Sequence, residues 1–202
     1  MVLIDLAKDK IISMEIKEAA KSLLRPEANG IHCLLLYHDL NACREFYSYY
    51  LQESIDKNDE IVQIAPFYET EDSVRYTLTH RQHNRIIDLN GLEKGNSKRL
   101  TIIDSLEKYL SPRNAMYDYE NIQDLVKSAK KLGLKRATIL GDSGAFFYKK
   151  KIPQLIEYEL SLPTHFEFDI KGICLYHQKD FDTLPNDKKQ KLVNHHEIAI
   201  KI

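Results

Sequence analysis

The chain alternates between short, continuously apolar runs and longer segments in which apolar residues recur at helical spacing. Residues 32–37 (HCLLLY) are the clearest run, and they are typical of a strand buried on both faces of a parallel sheet. Five further strands are predicted, the last as an edge strand because its apolar and polar residues alternate: 60–65, 99–104, 136–140, 170–176 and 197–202.

Helical periodicity fills the segments between these strands. An amphipathic helix is predicted over residues 5–24, and Asn41 is expected to cap the helix after the first strand. Four more helices are predicted: 71–85, one through 122–129 that ends at Gly133, 153–160 and 187–194. Six alternations of strand and helix imply βαβ units, so we expect a three-layer α/β fold with a mainly parallel sheet. Residues 1–29 would then be an N-terminal helical extension to a domain spanning 30–202.

Charge and cysteine content narrow the classes of function. The 202 residues carry 29 Lys and Arg against 30 Asp and Glu, a net charge of -1, so nucleic-acid binding is not expected. The three cysteines, Cys33, Cys43 and Cys174, form no CxxC pair, which argues against a disulfide framework. The sequence has no signal-peptide pattern and no apolar run long enough to span a membrane, so a cytoplasmic location is predicted.

Parallel sheets bind ligands beyond the carboxyl ends of their strands. That rule selects five residues that end or follow predicted strands: Tyr37, Asp39, Asp104, Asp142 and Tyr176. Cys174 precedes Tyr176 by two positions, so both side chains should point to the same face of their strand. Together the six residues predict a part-apolar, part-acidic pocket that suits a small neutral or cationic molecule better than a phosphate.

The loop after the first strand lacks the residues that bind nucleotide phosphates. Residues 38–43 (HDLNAC) contain neither glycine nor lysine, which excludes a P-loop and a GxGxxG fingerprint at this position. Asp104 ends an apolar strand, as the magnesium-binding aspartate of nucleoside triphosphatases does, although aspartate also caps helices there. A degenerate nucleotide-binding protein is therefore one alternative.

Residues 139–145 (ILGDSGA) offer a second alternative, a serine hydrolase. A strand, a tight turn with Ser143 and a helix form a pattern similar to a nucleophile elbow. Asp169 or Asp180, followed by His195, would complete the chain order Ser, Asp, His. A glycine-containing turn that simply joins a strand to a helix explains the same pattern. The eight histidines include no HxH or HxxxH pair, so we expect neither a metal site nor a cofactor.

Five short segments together resemble the methanogen/methylotroph sensory domain, abbreviated MEDS and known from the dichloromethane-responsive repressor. Residues 30–37 (GIHCLLLY) resemble the family's G-x-H-x-hydrophobic-Y start. Residues 136–144 (RATILGDSG) resemble its strand ending in Gly-Glu-Met, with Asp142 in place of the glutamate. The other segments resemble a Y-E helix, a C-x-Y strand and a late histidine without the usual following proline: residues 157–159, residues 173–176 and His195.

The resemblance covers about residues 30–202 and implies both a fold and a class of function. Members of the family are thought to have a RecA/KaiC-like core without a working phosphate loop, and residues 102–106 (IIDSL) resemble the IDSL strand of KaiC-like ATPases. The family is proposed to sense small hydrocarbon derivatives or to relay signals. We therefore expect a non-catalytic sensory domain that binds a small molecule or a partner protein, and the sequence leaves a homo-oligomer open. Residues 1–29 are expected to be too short for the repressor's DNA-binding helix-turn-helix.

Overall fold

The computed structural model describes residues 10–56, 60–80, 87–94, 98–110 and 115–202. Within these residues the strands are β1 (Ile11–Ser13), β2 (His32–Tyr37), β3 (Glu60–Ala65), β4 (Leu100–Ile102), β5 (Arg136–Asp142), β6 (Ile170–His177) and β7 (Ile198–Lys201). They form one sheet in the order β1-β7-β2-β6-β5-β3-β4, and each pair of neighbouring strands is parallel. The predicted parallel sheet is therefore confirmed.

Helices connect the strands and cover both faces of the sheet. They are α1 (Ile16–Leu24), α2 (Leu40–Asp56), α3 (Glu71–His80), α4 (Leu89–Glu93), α5 (Ser105–Leu110), α6 (Ala115–Lys131), α7 (Gly144–Tyr148), α8 (Ile152–Ser161), α9 (Gln178–Thr183) and α10 (Asn186–His195). The helices α1, α2 and α3 pack in one apolar core on what we call the front face. The helices α6 to α10 pack on the other, the back face. The predicted three-layer α/β fold is confirmed, while a RecA-like topology stays a prediction.

The N-terminal segment corrects two of the predictions. Residues 5–24 do not form one helix, because β1 occupies Ile11–Ser13 and the helix begins at Ile16. The open edge of β7 supplies the backbone donors and acceptors that a parallel strand needs, and the isoleucines suit such a strand. Pairing with β1 makes β7 an interior strand instead of the predicted edge strand. Residues 5–9 of the predicted helix lie outside the described residues.

Smaller differences concern where elements begin and end. Asp39, and not Asn41, caps α2: its Oδ1 accepts a hydrogen bond from the Ala42 backbone N–H at 2.9 Å. The strand β5 continues to Asp142, two residues beyond the prediction. The helix predicted over 71–85 reaches His80 within the described residues, and residues 81–85 lie outside them.

Candidate functional site

The carboxyl end of β3 is where the fold places a ligand crevice. The chain leaves β3 for α3 on the front face, whereas the neighbouring strands β4 and β5 continue into helices that pack on the back face. Connections that diverge from adjacent strand ends leave an opening between them, and open α/β sheets bind their ligands at such points.

A cleft of about 450 Å³ lies at this point, and its walls are residues 67–72 and Asp104. Its volume falls within the roughly 300–1,000 Å³ of small-molecule pockets. Phe67 and Tyr68 supply aromatic surface, and Tyr68 is 39% exposed. The cleft therefore offers a stacking surface together with polar groups.

Negative charge predominates in the cleft. Arg44 Nε binds Glu69 Oε2 at 3.0 Å, and Arg75 Nη2 lies 3.4 Å from Glu71 Oε2 but also 3.0 Å from Glu93. The lining holds four carboxylates, which two arginines cannot neutralise: Glu69, Glu71, Asp72 and Asp104. The cleft consequently favours cations and hydrogen-bond donors over anions.

Tyr37 and Asp142 form a buried pair beside the cleft, on the front side of the sheet. The Tyr37 hydroxyl donates to Asp142 Oδ2 at 2.7 Å, and the Gly144 backbone N–H donates to Oδ1 at 2.8 Å. Burial raises the pKa of Asp142 to about 7, and the two hydrogen bonds only partly oppose that shift. Burial also raises the pKa of Tyr37, so its hydroxyl remains a donor.

Aromatic contacts connect this pair with the cleft. The His177 ring centroid lies 5.2 Å from the ring of Tyr37 and 5.2 Å from the ring of Tyr68. The Tyr68 hydroxyl donates a hydrogen bond to Asp180 on α9. A molecule that touched Tyr68 in the cleft would thus contact a side chain held by both β6 and α9.

The six residues predicted to bind a ligand lie in four places. Tyr37 and Asp142 form the buried pair just described, and Asp104 lines the cleft while its Oδ1 accepts hydrogen bonds from Leu106 and Glu107. Asp39 is exposed and caps α2, and the Ala42 N–H lowers its pKa. The structure therefore brings only some of these residues to the cleft.

Cys174 and Tyr176 lie on the back face, as their two-residue spacing and the core around them require. The Tyr176 hydroxyl donates to Glu159 Oε1 at 2.6 Å, and the Cys174 thiol lies 3.4 Å from Glu159 Oε2. Tyr37 packs in the front core, so the sheet itself separates it from these two residues. They belong to a second site.

That second site is a buried cluster of four side chains that could ligate a metal: His32, Glu159, Cys174 and His196. One ligand atom from each lies within 4.8 Å of the others, and His32, Glu159 and His196 have no exposed surface. Burial lowers the pKa of His32 and raises that of the Cys174 thiol, so both are neutral at pH 7. We call these four residues the His–Cys cluster.

Sequence reasoning missed this cluster because its members are far apart along the chain. His32 and Cys174 are 142 positions apart, and no local spacing links them. A signal was nevertheless present, since three of the cluster residues lie in segments that resemble the MEDS motifs, and His196 adjoins His195, the last of the five segments. His32 and Cys174 also line an apolar cavity of about 20 Å³, which is room for about one water molecule.

The residues assigned to a serine hydrolase bond to other partners. Ser143 is buried and contacts Tyr176, while His195 Nε2 hydrogen-bonds to the Leu162 carbonyl. Asp180 accepts the hydrogen bond of Tyr68, and Asp169 accepts one from Asn29 at 2.6 Å. The Ser–Asp–His geometry of a triad is therefore not assembled among these residues.

Among the helices of the described residues, none has the length and apolar composition needed to cross a membrane.

Comparison with known proteins identifies one family. The family model of MEDS, the MEthanogen/methylotroph, DcmR Sensory domain, matches residues 31–197, which is most of the chain. No curated protein and no solved structure matches the chain. The resemblance carried by the five short segments is confirmed, and the chain belongs to the MEDS family of sensory domains.

Proposed function

We propose that this sensory domain is non-catalytic and that the cleft at the carboxyl ends of β3 and β4 binds its signal, a small neutral or cationic molecule. The observation that carries the proposal is the cleft itself, with a volume of about 450 Å³, aromatic surface and four carboxylates. Small hydrocarbon derivatives such as alcohols and amines belong to this chemical class. Phosphates and carboxylates do not, because the cleft carries excess negative charge.

The contacts of Tyr68 suggest how occupancy of the cleft could reach the rest of the domain. Its ring lines the cleft, packs against His177 and is held at its hydroxyl by Asp180. A ligand that stacked on Tyr68 would change the preferred position of that ring and bias the position of α9. A partner protein that binds α9 in one of these positions would then respond to the ligand, because a ligand shifts an equilibrium by its differential affinity for two states.

A thermal-shift screen tests the proposal. The probes are primary amines, quaternary ammonium ions and short alcohols, compared with acetate, inorganic phosphate and Mg²⁺-ATP. A ligand at 100 times its Kd stabilises the folded state by about 2.7 kcal/mol, which for a chain of this size raises Tm by roughly 5–10 °C. We expect such shifts from at least one amine or alcohol, and none from the anions.

The variant Asp104→Asn tests whether the ligand binds in the cleft. The asparagine keeps the Oδ1 acceptor that caps α5 and removes the negative charge, so the shift caused by an amine should fall at least several-fold. Asp88→Asn is the matched control, because Asp88 is an exposed helix cap outside the cleft lining and its side chain accepts from Gly91. Equal shifts in both variants would place binding elsewhere, and stabilisation by Mg²⁺-ATP would favour the nucleotide-binding alternative.

A further inference from the structure

The hydrogen bonds of the His–Cys cluster fix the orientation of both imidazole rings. His32 Nδ1 lies 3.0 Å from the Pro163 carbonyl oxygen, and His196 Nδ1 lies 2.8 Å from that of Leu192. A carbonyl oxygen accepts hydrogen bonds and cannot donate them, so both Nδ1 atoms carry the proton. In the neutral rings the Nε2 lone pairs therefore point into the cluster.

These lone pairs face a carboxylate. His196 Nε2 is buried without a hydrogen-bond partner and lies 3.3 Å from Glu159 Oε2. His32 Nε2 lies 3.5 Å from the same oxygen. Lone pairs repel at these separations, and an unsatisfied buried acceptor costs about 1–3 kcal/mol. A proton or a metal cation has to lie between these atoms for the arrangement to be favourable.

The proton on the Cys174 thiol cannot satisfy the whole cluster. The sulfur lies 3.4 Å from His32 Nε2 and 3.4 Å from Glu159 Oε2, so its one proton can reach one of these two acceptors. His196 Nε2 is still left without a partner. A single cation at the centre would bind all four atoms at once.

Another buried polar group in the sheet shows what a fully paired network looks like in this protein. On the front face Lys171 Nζ binds Glu60 Oε1 at 2.5 Å, while Tyr50 and Thr138 donate to Glu60 Oε2 at 2.9 and 2.7 Å. There each acceptor oxygen faces donors and the negative charge faces a positive one. In the His–Cys cluster, three acceptor atoms (His32 Nε2, His196 Nε2 and Glu159 Oε2) have only the Cys174 thiol proton to share. Such a surplus of acceptors is the arrangement of a ligand set.

We propose that His32 Nε2, His196 Nε2, Cys174 Sγ and Glu159 Oε2 form a tetrahedral site for one divalent transition-metal ion of the zinc class. Zinc binds such ligands at about 2.0–2.3 Å, which places the corners of the tetrahedron about 3.3–3.8 Å apart. Four of the six ligand pairs are at 3.3, 3.5, 3.4 and 3.4 Å.

Charge and the contacts of the ligands with their neighbours agree with this assignment. When the ion enters, the Cys174 thiol proton and the proton held between the histidines and Glu159 are released to solvent, and the thiolate and the Glu159 carboxylate together balance the two positive charges. Neutrality matters because an unbalanced charge in a buried site is costly. The Tyr176 hydroxyl and the two backbone carbonyls hydrogen-bond to the ligands and fix their orientation, as the neighbours of metal ligands commonly do.

The ligand atoms also narrow the choice of metal ion. Two imidazoles, a thiolate and a carboxylate are typical of Zn²⁺ and exclude Mg²⁺ and Ca²⁺, which prefer oxygen ligands. The four protein ligands complete a tetrahedron, so the site would be structural and would fasten β2, β6, α8 and the end of α10 to one another. This inference concerns the back face and is independent of the cleft proposed for the signal.

Cobalt substitution tests the site. The full chain, without an affinity tag, is unfolded with a chelator and refolded with increasing Co²⁺. We expect a thiolate-to-cobalt charge-transfer band and the intense visible bands of four-coordinate cobalt, both saturating at one equivalent and both displaced by Zn²⁺. A spectrum without the charge-transfer band, or one typical of six-coordinate cobalt, would overturn the proposal and leave a protonated histidine in the cluster.

Variants assign the ligands. Cys174→Ser should abolish the charge-transfer band, whereas Cys43→Ser, which alters a buried cysteine in the front core, should retain it. Tyr176→Phe keeps all four ligands and removes the hydrogen bond to Glu159, so the spectrum should persist with an affinity about 10–100-fold lower. If Cys174→Ser fails to fold, Tyr176→Phe still decides, because unchanged affinity in that variant contradicts the site.

Discussion

Asp142 is a buried acid whose ionisation should make stability depend on pH. Burial raises its pKa from 3.8 to about 7, so the folded chain keeps the proton over a range in which the unfolded chain has released it. The folded state then binds more protons, and the Asp142 contribution to the free energy of unfolding falls as pH rises from about 4 to about 7. Its slope is at most about 1.4 kcal/mol per pH unit.

Asp142→Asn removes this contribution, so the variant should gain stability relative to the natural chain as pH rises through that window. Urea unfolding at several pH values measures the difference, in which contributions from other groups such as His32 cancel. Asp39→Asn serves as the control: folding lowers the pKa of Asp39, so its contribution is present above about pH 4 and is lost as pH falls further. Parallel curves for Asp142→Asn and the natural chain between pH 4 and 7 would contradict the assignment.

Two glycines in the left-handed region show how elements are joined. Gly30, before β2, has φ 80°, and a Cβ there would lie 2.4 Å from His165 Nε2 and 2.6 Å from the Phe166 carbonyl oxygen. Gly133, after α6, has φ 72° with nothing within 4 Å of such a Cβ. We expect Gly133→Ala to cost about 1 kcal/mol, from backbone conformation alone. Gly30→Ala should cost about 3 kcal/mol, because overpacking adds to the same strain.

Urea midpoints of the two variants measure this difference, and equal losses would mean that the loop around His165 moves away without cost.

The strands show where prediction from the sequence succeeds. The runs that became β2, β3 and β6 are mostly apolar, and that pattern is set by burial on both faces. The prediction for residues 11–13 failed because their strand conformation depends on pairing with β7, at the other end of the chain.

At the scale of the whole molecule, residues 10–29 are built into the same sheet and core as the rest. The strand β1 pairs with β7, and α1 buries Ala19, Ala20, Leu23 and Leu24 in the front core. The boundary at residue 30 stays a prediction, and removing residues 1–29 tests it. We expect residues 30–202 alone to lose at least about 5 kcal/mol, from burial of about 1.5–3 kcal/mol per leucine and the exposure of α2.

That loss equals the whole stability of many domains, so residues 30–202 should unfold without a cooperative transition in circular dichroism. Leu23→Ala in the full chain is the companion variant, with an expected cost of about 2–5 kcal/mol. An unchanged urea midpoint for residues 30–202 would show that the first 29 residues are a separable extension.

The sequence by itself determined the α/β class, most of the strands and the family, because buried runs, helical spacing and short motifs are local properties of the chain. Only the tertiary structure decided which face each candidate residue occupies, and it separated Tyr37 from Tyr176 by the thickness of the sheet. The structure likewise brought His32 to Cys174. Strand order and register determine these results. Both depend on the packing of all layers together, which no local pattern in the sequence records.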